Sequence, residues 1–143
     1  MLKGIPPILG PELLFTLRAM GHGDEIAIVD ANYPGDSAGP TLVRLDGVSA
    51  TEALDAVLAL MPLDTFVEDQ AIGMGVVDDP ERRETIHRDF DAIIAAHEPG
   101  MSLTLCERFA FYERVEDAYA IVQTGERRLY GNILLKKGII RPE

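Results

Sequence analysis

Residues 11–45 read PELLFTLRAM GHGDEIAIVD ANYPGDSAGP TLVRL, and this stretch decides the fold. Leu13, Leu14, Leu17 and Met20 recur at helical spacing, with Pro11 in the first turn and Gly21 at the stop, which predicts a helix over 11–20. Asp24 to Asp30 is a short apolar run, partly β-branched and followed by turn residues from Asn32 to Pro40, so it predicts a buried strand. Thr41 to Leu45 predicts a second. Working outward, Ser49-Ala50-Thr51-Glu52 is a capping box, and the helix it opens carries Leu54, Val57, Leu58 and Met61 on one face. Ala71 to Val77 reads as a strand and Pro80 to Ala96 as a polar-faced helix whose N-terminus is the acidic cluster Asp78-Asp79-Pro80-Glu81. Met101 to Cys106 is a strand and Phe109 to Ala118 a helix. The strands Tyr119 to Gln123 and Asn132 to Lys136 flank a turn at Thr124 to Arg127. Strands alternating with helices point to an α/β fold, expected here as a single three-layer domain over residues 1–143. Its central sheet is expected to be mixed or largely parallel and covered by helices on both faces.

The chain is 47% hydrophobic and 26% charged, enough apolar surface to bury a core. A net charge of −11 argues against nucleic acid and anionic membranes as partners, because phosphate binding needs clustered Lys and Arg. A neutral ligand meets no such repulsion. Met1-Leu2-Lys3-Gly4 does not open a signal peptide, and no run of 18 apolar residues exists. Cys106 is the only cysteine, so neither an intrachain disulfide nor a Cys-based zinc site can be written, and it reads as a small core residue. A cytoplasmic protein is expected.

Two segments are dense in reactive side chains. The first is Gly21-His22-Gly23-Asp24-Glu25, leading to Asp30-Ala31-Asn32-Tyr33-Pro34. His22, between glycines past a helix end, is either a C-terminal residue complementing the helix dipole or an exposed functional imidazole. Asp30 ends a strand, where open α/β sheets bind ligands. The second segment is Arg108-Phe109-Ala110-Phe111-Tyr112-Glu113-Arg114, followed by Tyr130-Gly131-Asn132. Phe109, Phe111 and Tyr112 read as packing residues. In an extended chain Tyr130 and Asn132 face the same side, and a phenol beside a carboxamide suits a polyhydroxylated ligand. His87 and His97 read as solvated surface residues, and Lys136-Lys137 is too short a run to mark a partner. The His22, Asp24 and Asp30 spacing is too common to indicate a metal, and no phosphate-binding loop or hydrolase motif is present.

These motifs, together with Thr124-Gly125-Glu126-Arg127 and the block Tyr130-Gly131-Asn132-Ile133-Leu134-Leu135-Lys136-Lys137-Gly138, resemble the fucose mutarotase and ribose pyranase family from Met1 to about Gly138. Arg108, Gly23 and Tyr130-Gly131-Asn132 resemble its fucose branch; Asn32-Tyr33 stands where many bacterial members carry His-Phe. The resemblance implies an isomerase acting on a neutral, fucose-like monosaccharide. His22 would be its catalytic acid/base, Asp30, Arg108, Tyr130 and Asn132 its sugar contacts, and it would need no cofactor and no metal. Histidine suits such proton transfer because its ordinary pKa of about 6.5 makes both forms available near neutrality. The alternatives are a ribose pyranase, a non-catalytic monosaccharide-binding accessory to sugar uptake, and a structural oligomer subunit.

A geometric expectation follows from the strand alone. At roughly 3.3 Å per residue, Asp24 and Asp30 lie about 20 Å apart, so one small sugar cannot easily touch both His22 and Asp30 of one chain. Either the His22 loop folds far back or the pocket is shared between subunits. The second agrees with the homo-oligomer that the resemblance implies, a decamer built from pentameric rings.

Overall fold

The computed structural model describes residues 1–143. In chain order its elements are α1 (Pro11–Ala19), β1 (Glu25–Val29), a 3-10 turn (Asp36–Ala38), β2 (Thr41–Leu45), α2 (Ala50–Leu58) and β3 (Ala71–Met74). They continue with α3 (Thr85–His97), β4 (Thr104–Cys106), α4 (Arg108–Glu116), β5 (Ala120–Thr124) and β6 (Ile133–Lys136). The six strands form one mixed sheet in the order β2-β5-β1-β6-β3-β4. β2, β5 and β1 pair in parallel, as do β3 and β4, while β6 runs antiparallel between β1 and β3.

The period-two alternation of β1 sorts its side chains onto two cores. Ile26 and Ile28 pack with α1, α2 and α3 through Leu13, Leu54, Phe90 and Ile94, whereas Ala27 and Val29 face Phe111 and Val115 of α4. Helices therefore cover both faces of an α/β sheet, and the strands read as continuous apolar runs for that reason. Truncating a fully buried residue such as Leu54 to Ala would cost about 2–5 kcal/mol. The capping box forms as expected: the Glu52 amide donates to Ser49 Oγ at 3.2 Å and the Ser49 amide to Glu52 Oε2 at 2.9 Å.

Three local expectations are corrected. β3 stops at Met74 instead of running to Val77, because Asp78 turns into the left-handed region (φ +66°) and Val76 bridges to Asp79. The acidic cluster 78–81 is thus a turn, and α3 begins only at Thr85, with Glu84 as its N-cap. His87 is fully buried rather than solvated. Its Nδ1 accepts from the Glu84 amide (3.0 Å), which leaves Nε2 to donate to the Met74 carbonyl (2.9 Å). Burial pushes its pKa below the ordinary histidine value, so it sits neutral in the core. His97 lies closer to expectation, half-exposed with Nε2 2.7 Å from Asp55 Oδ1.

Candidate active site

The parallel strands end on one edge of the sheet, and β6, being antiparallel, begins there. Asp30 after β1, Met74 at the end of β3, Arg108 just beyond β4 and Asn132 just before β6 consequently meet. They line one cavity of about 200 Å³ together with Asn32, Tyr33, Tyr112, Leu129 and Tyr130. That is below the ~300–1,000 Å³ usual for drug-sized ligands and leaves room for one small molecule.

Asp30 and Asn132 are buried and mutually fixed, with the Asp30 amide donating to Asn132 Oδ1 at 2.8 Å. The Asp30 carbonyl accepts from Gln123 Nε2 (2.6 Å), and its carboxylate accepts from the Asn32 amide (2.9 Å). No cation pairs with that carboxylate, and burial raises its pKa above the ordinary aspartate value despite these hydrogen bonds. A desolvated carboxyl at a pocket wall is a strong acceptor for a ligand hydroxyl. The Asn132 carboxamide reaches the Met74 sulfur at 3.7 Å, which orients it across the cavity floor.

Tyr130 reaches the same pocket by a route other than the extended chain expected. Its φ is +63°, in the left-handed region that non-glycine residues rarely occupy. The phenol oxygen accepts from the Val77 amide at 3.3 Å, leaving its own proton to donate to a ligand. Gly131 is required for close approach, since a Cβ there would meet Glu126 Cγ at 2.7 Å and Asp30 Cβ at 3.4 Å. Arg108, the first residue of α4, lies 5.4 Å from the Phe109 ring centroid and 5.7 Å from that of Tyr112. It forms no ion pair, so its five donors are available at the rim. Phe111 is core as expected, whereas Phe109 is 66% exposed and lines a neighbouring cavity instead of the Asp30 pocket. Tyr33 is buried, packed edge-on against Phe111 at 6.1 Å.

His22 is not in this cavity. It lies before β1 while Asp30 lies after it, at opposite edges of the sheet. Asp24 turns out to shape its loop: the Asp24 carboxylate accepts from the Gly21 amide (2.7 Å) and the Asp24 amide donates to the Gly21 carbonyl (3.1 Å). His22 Nε2 contacts Asp64 Oδ1 at 3.0 Å, with the imidazole side chain 43% exposed and the carboxylate 4%. Burial works to raise the Asp64 carboxyl. Hydrogen bonds from His22 and from the Phe66 amide (3.0 Å) outweigh it and hold Asp64 below the ordinary carboxylate range. An ionised Asp64 accepts, so Nε2 carries the proton and Nδ1 is the free face. The ring leans on exposed Phe66 at 5.3 Å. Sequence reasoning missed Asp64; nothing in Leu63-Asp64-Thr65 marks it, and only tertiary pairing brings it to His22.

Sequence and fold comparisons agree. Residues 3–140 match the model of the RbsD / FucU transport protein family. The chain is 48% identical to the fucose mutarotase of Mus musculus over 97% of its own length and 95% of that protein's, and 45% identical to that of Homo sapiens over 97% and 94%. Its fold is similar to the crystal structure of the fucose mutarotase of Streptococcus pneumoniae in complex with L-fucose (TM-score 0.91, 46% identity, covering 98% of this chain and 100% of that one).

Proposed function

The chain belongs to the RbsD / FucU family, and on that premise we propose that it is a fucose mutarotase, an isomerase that interconverts the α and β anomers of a free monosaccharide. The observation that carries this reading is the cavity itself. The acceptors of Asp30, the paired donor and acceptor of Asn132, the phenol of Tyr130 and the guanidinium of Arg108 face one small space suited to a neutral, polyhydroxylated ligand.

Mutarotation removes the proton of the anomeric hydroxyl, breaks the bond from C1 to the ring oxygen and delivers a proton to that oxygen. The open aldehyde then closes on its other face by the reverse steps. Proton count is conserved throughout, so no cofactor is called for. His22 is the group suited to the transfer: Asp64 orients it through Nε2 and stabilises its charged form, while Nδ1 takes and returns the proton. Asp30 and Asn132 hold the sugar hydroxyls. Arg108 steadies negative charge on the oxygen as the ring opens.

Because β1 separates His22 from Asp30, the site is completed between subunits, with His22 of the partner subunit entering the cavity. Two apolar surface patches support this. One is exposed Phe66 against His22; the other is Leu129 at the Asp30 cavity, with exposed Val77 and Phe109 lining the adjoining cavity that shares Arg108. Two different patches that meet head to tail generate a ring, in keeping with pentamers stacked as decamers. No helix is long and apolar enough to cross a membrane, and we place the enzyme in the cytoplasm.

The test is NMR exchange between anomers at catalytic protein concentration, run in parallel with fucose, ribose and galactose. Accelerated exchange of fucose is expected. Acceleration confined to ribose would indicate a pyranase, and binding without acceleration a sugar-binding accessory.

A further inference from the structure

Lys136-Lys137 is too short a run to mark a partner in the sequence, yet with Gly138 it lies between the two members of the His22–Asp64 pair. On one side the Lys137 amide donates to the Asp24 carbonyl (2.9 Å) and its carbonyl accepts from the Gly23 amide (2.8 Å). On the other, Leu63 bridges to Lys137, the Asp64 amide donates to the Lys136 carbonyl (3.0 Å) and the Gly138 amide to the Pro62 carbonyl (2.8 Å). Gly138 permits this approach, since a Cβ there would collide with the Leu63 carbonyl. One short segment thus sets the spacing between the turn that carries His22 and the segment that carries Asp64.

The Lys137 side chain adds a second tie. Its Nζ donates to the Leu17 carbonyl at 2.7 Å and to the Met20 carbonyl at 2.5 Å, and it forms no ion pair. Those carbonyls belong to the end of α1, where orphan acceptors and the negative end of the helix dipole favour a cation. Met20 is two residues from His22. A surface lysine would normally reach for a carboxylate or for water; this one is partly buried on main-chain oxygens alone. Burial, aided by the charge of Arg18 and opposed by that of Asp24, lowers its pKa from the ordinary lysine value. The ammonium is held where loss of hydration disfavours its charge, behind the His22 turn.

We propose that Lys137 is a positioning residue for proton transfer, its ammonium clamping the end of α1 so that the Gly21–Asp24 turn presents His22 to Asp64 in one fixed orientation. This rests on the reading of His22 as the acid/base group. Lys137 touches no lining residue of the Asp30 cavity, so its loss should leave sugar binding alone.

The experiment compares Lys137→Met, Lys137→Arg, Asp64→Asn, Asp30→Asn and the relevant doubles in the assembled protein by anomer-exchange NMR. Lys137→Met should lower kcat by on the order of tenfold to a hundredfold with KM unchanged, the scale of a misplaced catalytic group. Lys137→Arg should restore part of it. Combined with Asp64→Asn, which disturbs the same imidazole, the losses should fall well short of their product; combined with Asp30→Asn they should multiply. Wild-type kcat in Lys137→Met, a rise in KM instead, or full multiplication with Asp64→Asn would overturn the assignment. If Lys137→Met does not assemble, Lys137→Gln takes its place, and failure of both to assemble makes the lysine merely structural and also counts against it. Wild-type exchange in His22→Ala would defeat the acid/base reading itself. An inactive His22→Ala beside a fully active Lys137→Met defeats only the role given to Lys137.

Discussion

The two ends of β1 are built on opposite principles. At its start, His22 sits in an exposed glycine-flanked turn, held by main-chain bonds and one buried carboxylate, with a free ring nitrogen facing outward. At its end, Asp30 is buried, its main chain bonded to the Asn132 and Gln123 side chains and its own carboxylate lacking a cation. The contrast teaches a division of labour. Under the proposed mechanism, a binding wall gains from desolvation and rigidity, whereas a proton-transfer group gains from reaching outside its own chain.

The sharpest way to break this comparison is to remove the exposed end. His22→Ala should cost about 10²–10⁴-fold in exchange rate, the usual worth of positioned proton transfer. Its melting temperature should fall only modestly, because the imidazole is 43% exposed and buried Asp64 keeps its hydrogen bond from the Phe66 amide. Mixing His22→Ala with Asp30→Asn subunits then tests whether the ends of different chains meet. If each junction of a head-to-tail ring draws its two faces independently, about a quarter are intact and activity returns toward a quarter of wild type. No recovery in verified mixed oligomers would place both ends in separate sites.

Asp30→Asn probes the buried end. Losing a charged acceptor should reduce kcat/KM about 10–10²-fold, the worth of a charged hydrogen bond. The fold should become more stable at neutral pH. The carboxyl pKa is raised in the fold, so its ionised form costs stability above the unfolded value and that cost fades as pH falls through the folded one. A melting temperature that drops in Asp30→Asn would mean the carboxylate is structural.

Arg108→His sharpens the comparison at the rim. Replacing a five-donor fork with imidazole should cost roughly tenfold on fucose and less on ribose, and equal losses would make Arg108 structural.

The smallest expected effect lies behind the cavity, at His87. Its pKa is lowered in the fold, so its contribution is complete above the unfolded value near 6.5 and is lost as pH falls below it. Wild-type melting temperature should therefore fall more between pH 8 and pH 5 than that of His87→Gln. Parallel decline in both proteins would remove His87 as the cause.

What the sequence made legible follows the same divide. β1, the capping box and the four cavity residues Asp30, Arg108, Tyr130 and Asn132 could be read because periodicity, cap chemistry and family motifs are local. The expectation for His87 follows its polar residue type and not its position, since the spacing 87, 90, 94 puts it on the apolar face with Phe90 and Ile94. Tyr130 was placed correctly for an incorrect reason, since no pattern announces a left-handed tyrosine. Asp64 and Lys137 owe their roles to pairing across long stretches of chain, which local reading does not see.

β6 has a consequence in time as well as space. It is the last strand in the chain, yet it lies at the middle of the sheet, and without it β2-β5-β1 and β3-β4 share no edge. As synthesis proceeds from the N-terminus, the earlier strands emerge as two fragments awaiting a seam. Such distant pairings close slowly. When residues 132–138 arrive, Asn132 completes one edge and Lys137 secures the other. On the proposed shared site, a partly made subunit therefore has neither half to offer a neighbour, and competence for assembly and for chemistry begins at the same moment.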